Sequence, residues 1–216
     1  MRGMTLTRPD PDSTMLAARA VYFAANDFGE DGGYGDAWVT VKLGPVPVSF
    51  PNAAGRRRAV PFHDLHHLVT DYDTDIIGEF EIGAWEIGAG CKDFWIAWFL
   101  NLGSLTGGLL SAPRRTFRAF VRGRGSRSLY GEALEPLLSA TVASVRARMG
   151  PALTVQPAAR PVDVALFAAA AVAGVVFGGV TVVLGVVAAP VVLLWSAWRR
   201  RGQTASRTPN TATPPA

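Results

Sequence analysis

Residues 61–91 read PFHDLHHLVTDYDTDIIGEFEIGAWEIGAGC, and the rest of the chain is organised around this stretch. It holds all three histidines of the protein, His63, His66 and His67. His67 follows His63 by four positions, so on a helix the two rings stand on one face, one turn apart. Asp64 lies beside the first, and Glu79 follows His67 by twelve positions. Two imidazoles at i and i+4, with a carboxylate from a neighbouring segment, make three ligands for a divalent metal ion and leave a position open for water or substrate. The candidate ligands and catalytic groups are therefore His63, Asp64, His67 and Glu79. Nitrogen and oxygen donors do not fix the ion, and zinc, iron and manganese all suit them.

The spacing predicts a helix over 63–70, broken by DYDTD from Asp71. The alternating acids there invite comparison with a calcium-binding EF-hand loop. The comparison fails, because Ile76 stands where the sixth-position glycine belongs and Ile82 where the closing glutamate belongs. Asp75 reads instead as the N-cap of a second helix over about 76–88. Ile77, Phe80, Ala84 and Ile87 give that helix a core face. Glu79 and Glu86 share another face with Gly83 between them, where a second helix or a ligand can approach the backbone. If the first helix packs there, Glu79 points at His63 and His67, and Glu86 stands two turns further along, behind the ligands. His66, about 100° round the helix from His67, reads as structural or supporting.

Before this stretch, residues 1–12 are polar, proline-broken and expected to be disordered. STMLAARAVYFAAN, from Ser13, reads as a helix capped by Ser13 or Thr14 and ending before Asp27. DFGEDGGYGD carries four acids and no base, which rejects a phosphate-cradling loop and favours a mobile loop over the alternative of a rim over the metal site. WVTVKL (38–43) and VPVSF (46–50) predict a β-hairpin turning at Gly44-Pro45, with Pro47 confining the second strand to an edge. Arg56 to Arg58 read as a solvated turn leading into the motif.

After it, residues 94–112 are uncharged but glycine-interrupted, which suits a buried or membrane-dipping helix pair better than a full span. PRRTFRAFVRGRGSR, from Pro113, has the composition of a basic amphipathic segment on anionic lipid, or of a solvated helix face. A helix from about Glu135 to Met149 should turn Leu137, Leu138, Val142 and Val145 inward, its start set by Pro136. Residues 150–163 read as a linker. Residues 164–198 contain no charge, where one membrane crossing needs about 20 residues. This is one overlong tilted helix or two short ones, and Gly178-Gly179 near the middle favours a hairpin of two short transmembrane helices, with Arg160 and Arg199–Arg201 on the same side of the membrane. The remainder, 199–216, is a basic, disordered tail.

The expected fold is thus mainly α: a small helical domain over 13–149, with a short N-terminal β-hairpin and a C-terminal transmembrane segment. The net charge of +4 is unevenly spread, with acids concentrated over 26–86 and arginines in 114–127, 146–160 and 199–207. That division suits a membrane-facing basic surface, and no nucleic-acid signature accompanies it. The single cysteine, Cys91, excludes an intramolecular disulfide and a cysteine-based zinc cluster, and reads as a small buried residue. The N-terminus lacks the apolar core of a signal peptide, so the main domain is expected on the cytoplasmic side of the membrane.

The pattern H-D-x-x-H followed after twelve residues by a glutamate, in the form Ile77-Gly78-Glu79, resembles the signature of the coenzyme Q (ubiquinone) biosynthesis protein 4 family. The matching residues are His63, Asp64, His67 and Glu79, with Gly78 before the glutamate. The resemblance implies a helical, membrane-associated protein with a metal held at these four positions. It implies oxidative decarboxylation with hydroxylation at carbon 1 of a prenylated quinone precursor ring, and a part in organising the other quinone-biosynthesis proteins. The isoprenoid tail would need an apolar groove such as one along 94–112. Two other classes fit the residues. H-D-x-x-H looks like the H-E-x-x-H of metallopeptidases with a shorter general base, which would make a membrane-tethered hydrolase. A non-enzymatic lipid-binding scaffold would keep the metal as a structural element only.

Overall fold

A computed structural model describes residues 8–43 and 46–205. In chain order the elements are α1 (Met15–Asn26), β1 (Trp38–Leu43), β2 (Val46–Pro51), α2 (Ala54–Thr70), α3 (Ile76–Ala89), α4 (Trp95–Ser111), α5 (Pro113–Arg124), α6 (Leu134–Ser139), α7 (Val142–Met149) and α8 (Pro161–Ala205). The protein is mainly helical, with one antiparallel β-hairpin pairing Trp38 with Pro51 and Lys42 with Pro47. The Gly44-Pro45 turn and residues 1–7 and 206–216 lie outside the described residues.

Local chemistry sets most helix ends. Thr14 caps α1 by accepting from the Ala17 amide at 3.2 Å, and Asp27 stops it in the left-handed region at φ 57°. Asp75 caps α3 through the Gly78 amide at 2.7 Å. The motif helix α2 starts nine residues before the expected 63, at Ala54. Pro61 does not break it, and Arg56–Arg58 lie within it rather than in a solvated turn. Arg56 donates to the Asn52 side chain at 3.1 Å and Arg58 pairs with Asp93 at 2.5 Å, so interactions outside the motif hold this early start.

Helix α3 is the centre of the domain, buried along Glu81–Gly88 on every side rather than on one stripe. Its partners across small residues are α4 and α5. Gly83 lies against Ser104 and Asn101 of α4, so α4, not α2, takes the approach that Gly83 opens. The α3–α5 crossing is reciprocal: a Cβ on Gly88 would overlap the Phe120 carbonyl, and one on Gly123 would overlap that of Trp85. Gly123→Ala should therefore destabilise the domain by about 1–3 kcal/mol through forced separation of two packed helices. Gly103→Ala, with nothing within 4 Å of the added carbon, should leave thermal unfolding unchanged or slightly raised. Equal melting temperatures for the two variants would refute this account of the crossing.

Five sequence expectations need correction. Residues 94–112 form one helix, α4, with Ala97, Asn101, Leu105 and Gly108 turned inward. The helix expected to Met149 is two, because Ala140 is extended and Thr141 caps α7. The break is held from outside, by backbone bonds from Met15 N to Ala140 O (2.8 Å) and from Val142 N to Ser13 O (3.0 Å). The expected linker is partly packed, since Ala152 and Leu153 are buried, and the compact unit runs on to residue 175. Residues 8–12, expected to be disordered, include Pro11, whose carbonyl accepts from the Ala143 amide at 2.9 Å.

The charge-free stretch gives the fifth correction. It belongs to a single uninterrupted helix, α8, rather than to a hairpin. Glycine weakens a helix by about 1 kcal/mol but does not stop it, and in apolar surroundings an intact backbone ladder outweighs that cost. The first part of α8 packs on the domain: Phe167 meets the rings of Phe117 and Phe120 at 5.0 and 5.3 Å, and Gly174 lies against Thr106 and Leu102. Residues Pro161–Gly185 are long and apolar enough to cross a membrane, and only 6% of their most apolar window is buried.

Candidate metal centre

The site is built where α2 faces α3. Glu79 reaches both motif histidines: its carboxylate oxygens lie 3.5 Å from His63 Nε2 and 3.3 Å from His67 Nε2. One donor atom from each of the three residues lies within 4.8 Å of the others. Two ligands each about 2.1 Å from a shared ion, at the tetrahedral angle, stand roughly 3.4 Å apart. The separations therefore suit one small cation.

Hydrogen bonding fixes which nitrogens face inward. His67 Nδ1 lies 3.0 Å from the Tyr72 carbonyl, which can only accept, so Nδ1 carries the proton. In the neutral ring its Nε2 is then a bare lone pair. That atom is buried without a hydrogen-bond partner, and it points at a carboxylate that has no proton to offer. The ring is held in place by Tyr22, stacked at 5.9 Å. His63 repeats the pattern. Its Nδ1 lies 3.0 Å from Glu86 Oε1, leaving Nε2 for Glu79. A carboxylate or carbonyl behind each ligating imidazole is the arrangement that orients histidines on metals.

Glu86 is the residue whose weight the sequence understates. It is fully buried and accepts four hydrogen bonds: from His63 (3.0 Å) and His66 (2.7 Å) on one oxygen, and from Asn101 (2.5 Å) and Tyr130 (2.8 Å) on the other. Burial alone would raise its pKa, but the charge and hydrogen bonds of His63, with those of His66, hold it well below the usual carboxylate range. A signal was present: a lone acid in the apolar run IGAWEIGAG must be buried and paired. Asn101 in its uncharged helix carries the same message.

His66 serves this network rather than the cation. Its Nδ1 donates to Glu86, and its Nε2 accepts from the Leu129 amide at 3.0 Å, so both nitrogens are used and the ring is neutral. Burial lowers its pKa against the pull of Glu86. For His63, burial also works against the charge, but Glu86 and then Glu79 outweigh it and raise the pKa well above the ordinary value. Glu79 is held below the usual range against its own desolvation, chiefly by His67 and His63.

Asp64 stands apart from the other three. Its carboxylate accepts from the Tyr34 hydroxyl at 2.5 Å, tying the glycine- and acid-rich loop to α2. Burial raises its pKa. Tyr34 and Tyr22 are both raised as well, first by burial and then by the Asp64 charge. Access is one-sided: the side chains of His63 and Glu79 are 24% and 40% exposed, whereas His67 is sealed. Asp64→Asn should retain more than half of the wild-type metal content by elemental analysis, because its carboxylate supports Tyr34 rather than joining the three donors. Loss as complete as that of a histidine variant would make it a ligand.

Fold and site together define a helical protein with a two-histidine, one-carboxylate centre and a helix able to cross a membrane. Compared with protein-family models, curated proteins and solved structures, the chain gives no match.

Proposed function

We propose that this chain is a membrane-associated, metal-dependent protein of ubiquinone biosynthesis. It carries out oxidative decarboxylation with hydroxylation of a prenylated quinone precursor ring and helps to organise its pathway partners, as the resemblance to the coenzyme Q biosynthesis protein 4 family implies. The observation that carries the metal-dependent part is the buried, unpartnered Nε2 of His67 facing Glu79 beside His63. Two histidines and one carboxylate with open positions suit iron as well as zinc. An ion there would polarise a phenolate or carboxylate oxygen of the ring, and an oxidative step favours iron or manganese over zinc. The chain's own groups do the positioning. Glu86 and the Tyr72 carbonyl hold the two Nδ1 protons, which keeps both Nε2 atoms turned to Glu79. The uncharged flank of α4, where Phe99 and Leu110 are exposed, offers apolar surface to an isoprenoid tail.

The hydrolase reading loses support from Asp64, since a general base must reach the water beside the ion and this carboxylate is committed to Tyr34. Two cellular experiments separate the remaining readings. In a host that makes ubiquinone, Glu79→Ala at the native locus should accumulate a ring-carboxylated prenyl precursor and lower mature quinone at least about tenfold, the size expected when a metal ligand is removed. A scaffold would keep a normal quinone profile in that variant and lose it only when 164–198 is deleted.

A further inference from the structure

Beside the crossing of α5 with α3, Arg115, Arg118 and Arg122 follow one another at i, i+3 and i+7 and so share a face. With Tyr72, Glu81 and Gln156 they line an open cleft of 520 Å³. The three arginines are not equivalent. Arg115 forms a bidentate pair with Glu81, 2.9 Å from Nε to the nearer oxygen, and Asp73 and Asp75 add to its negative surroundings. Arg122 is fixed by three backbone carbonyls, those of Thr70 (2.8 Å), Ala152 (3.1 Å) and Leu153 (2.7 Å), and lies 5.1 Å over the Tyr72 ring. Carbonyls orient its charge without neutralising it. Arg118 is exposed and has no ion pair among the described residues, while its backbone carbonyl accepts from Gln156 at 3.0 Å. The Arg118–Arg122 end of the cleft thus keeps two positive charges, one of them preorganised.

We propose that this end of the cleft binds the phosphate group of a phosphate monoester. A guanidinium has five N–H donors in a planar fork. Arg122 spends three of them on carbonyls, so two remain, and Arg118 can close on the anion from the other side. A dianionic monoester matches two neighbouring guanidiniums better than a carboxylate does. The cleft is larger than a bare phosphate, which leaves room for the group esterified to it. Its last wall, at Leu153–Gln156, is the segment that leads into α8, and α5 packs on α8 through Phe117 and Phe120. The phosphate can accordingly come from a lipid headgroup or from a soluble ester.

The test uses the full chain in neutral detergent micelles, titrated calorimetrically with glycerol 3-phosphate, with dihexanoyl phosphatidic acid and with dihexanoyl phosphatidylcholine. Saturable binding of both monoesters assigns recognition to the phosphate itself, and binding of phosphatidic acid alone assigns the source to lipid. Either result supports the site, provided that Arg118→Glu weakens binding by about tenfold or more with unchanged metal content. Should that charge reversal unfold the protein, Arg118→Gln, which keeps the stem, is measured in its place. Phosphatidylcholine bound as tightly as phosphatidic acid, no saturable binding of either monoester, or affinity unaffected by the Arg118 substitution would each overturn the proposal.

Discussion

Glu79→Ala and His67→Ala should each abolish metal retention, lowering content from about one ion per chain to less than about a tenth and affinity by at least about 100-fold. The size follows from what each variant leaves behind. Without Glu79, two neutral imidazoles remain with no charge to offset that of the ion. Without His67, the sealed side of the site loses its only inward-facing lone pair. The wild-type arrangement places the Nε2 atoms of His63 and His67 within 3.5 Å of the Glu79 carboxylate, a donor set that a cation can occupy by displacing the His63 proton. Elemental analysis of protein purified without added metal, followed by competition with a chelator of known affinity, measures both quantities. Retention of a stoichiometric ion by Glu79→Ala would place the metal elsewhere and remove the basis of the proposed function. Acid should release the ion as well, because protons compete for the same Nε2 atoms.

Glu86→Ala should be the most destabilising single change in the domain, by about 3–5 kcal/mol, the usual cost of removing one partner from a buried charged network. Four donors would lose their acceptor together: His63, His66, Asn101 and Tyr130. Three of them are shielded from water, since His66, Asn101 and Tyr130 are 4% exposed or less; His63 alone is partly open. Glu86→Gln keeps the shape but turns an NH2 group toward donors, so it should recover only part of the loss. The pH dependence has a definite sign. A carboxyl held below its ordinary value of 4.5 contributes stability that is fully present above that value and lost as pH falls through the depressed one. Thermal unfolding followed by circular dichroism between neutral and acid pH should therefore show a steeper acid loss for the wild type than for Glu86→Gln. Parallel curves, or a melting temperature within two degrees of wild type for Glu86→Ala, would mean that the network is not a unit.

The sequence revealed the parts of this fold that are governed locally. The caps at Thr14 and Asp75, the i, i+4 histidines and the two strands are each decided within a few residues, and each stands where the pattern put it. The parts it hid depend on distant partners. The capping Thr141 is the one local sign of a break at Ala140; Ser13 and Met15, more than a hundred residues earlier, hold it. The early start of α2 rests on Asn52 and Asp93. Within the site, the reach of Glu79 was readable from spacing. The commitment of Asp64 to Tyr34 was not, because it joins α2 to a loop thirty residues away. The hairpin expected at Gly178-Gly179 took glycine for a stop signal, where the unbroken helix shows that backbone bonding dominates in an apolar run.

That unbroken helix bears on which compartments the chain can address. A rod that enters a bilayer once and does not double back delivers its two ends to opposite faces. The triple arginine at 199–201 could then no longer share a leaflet with Arg160.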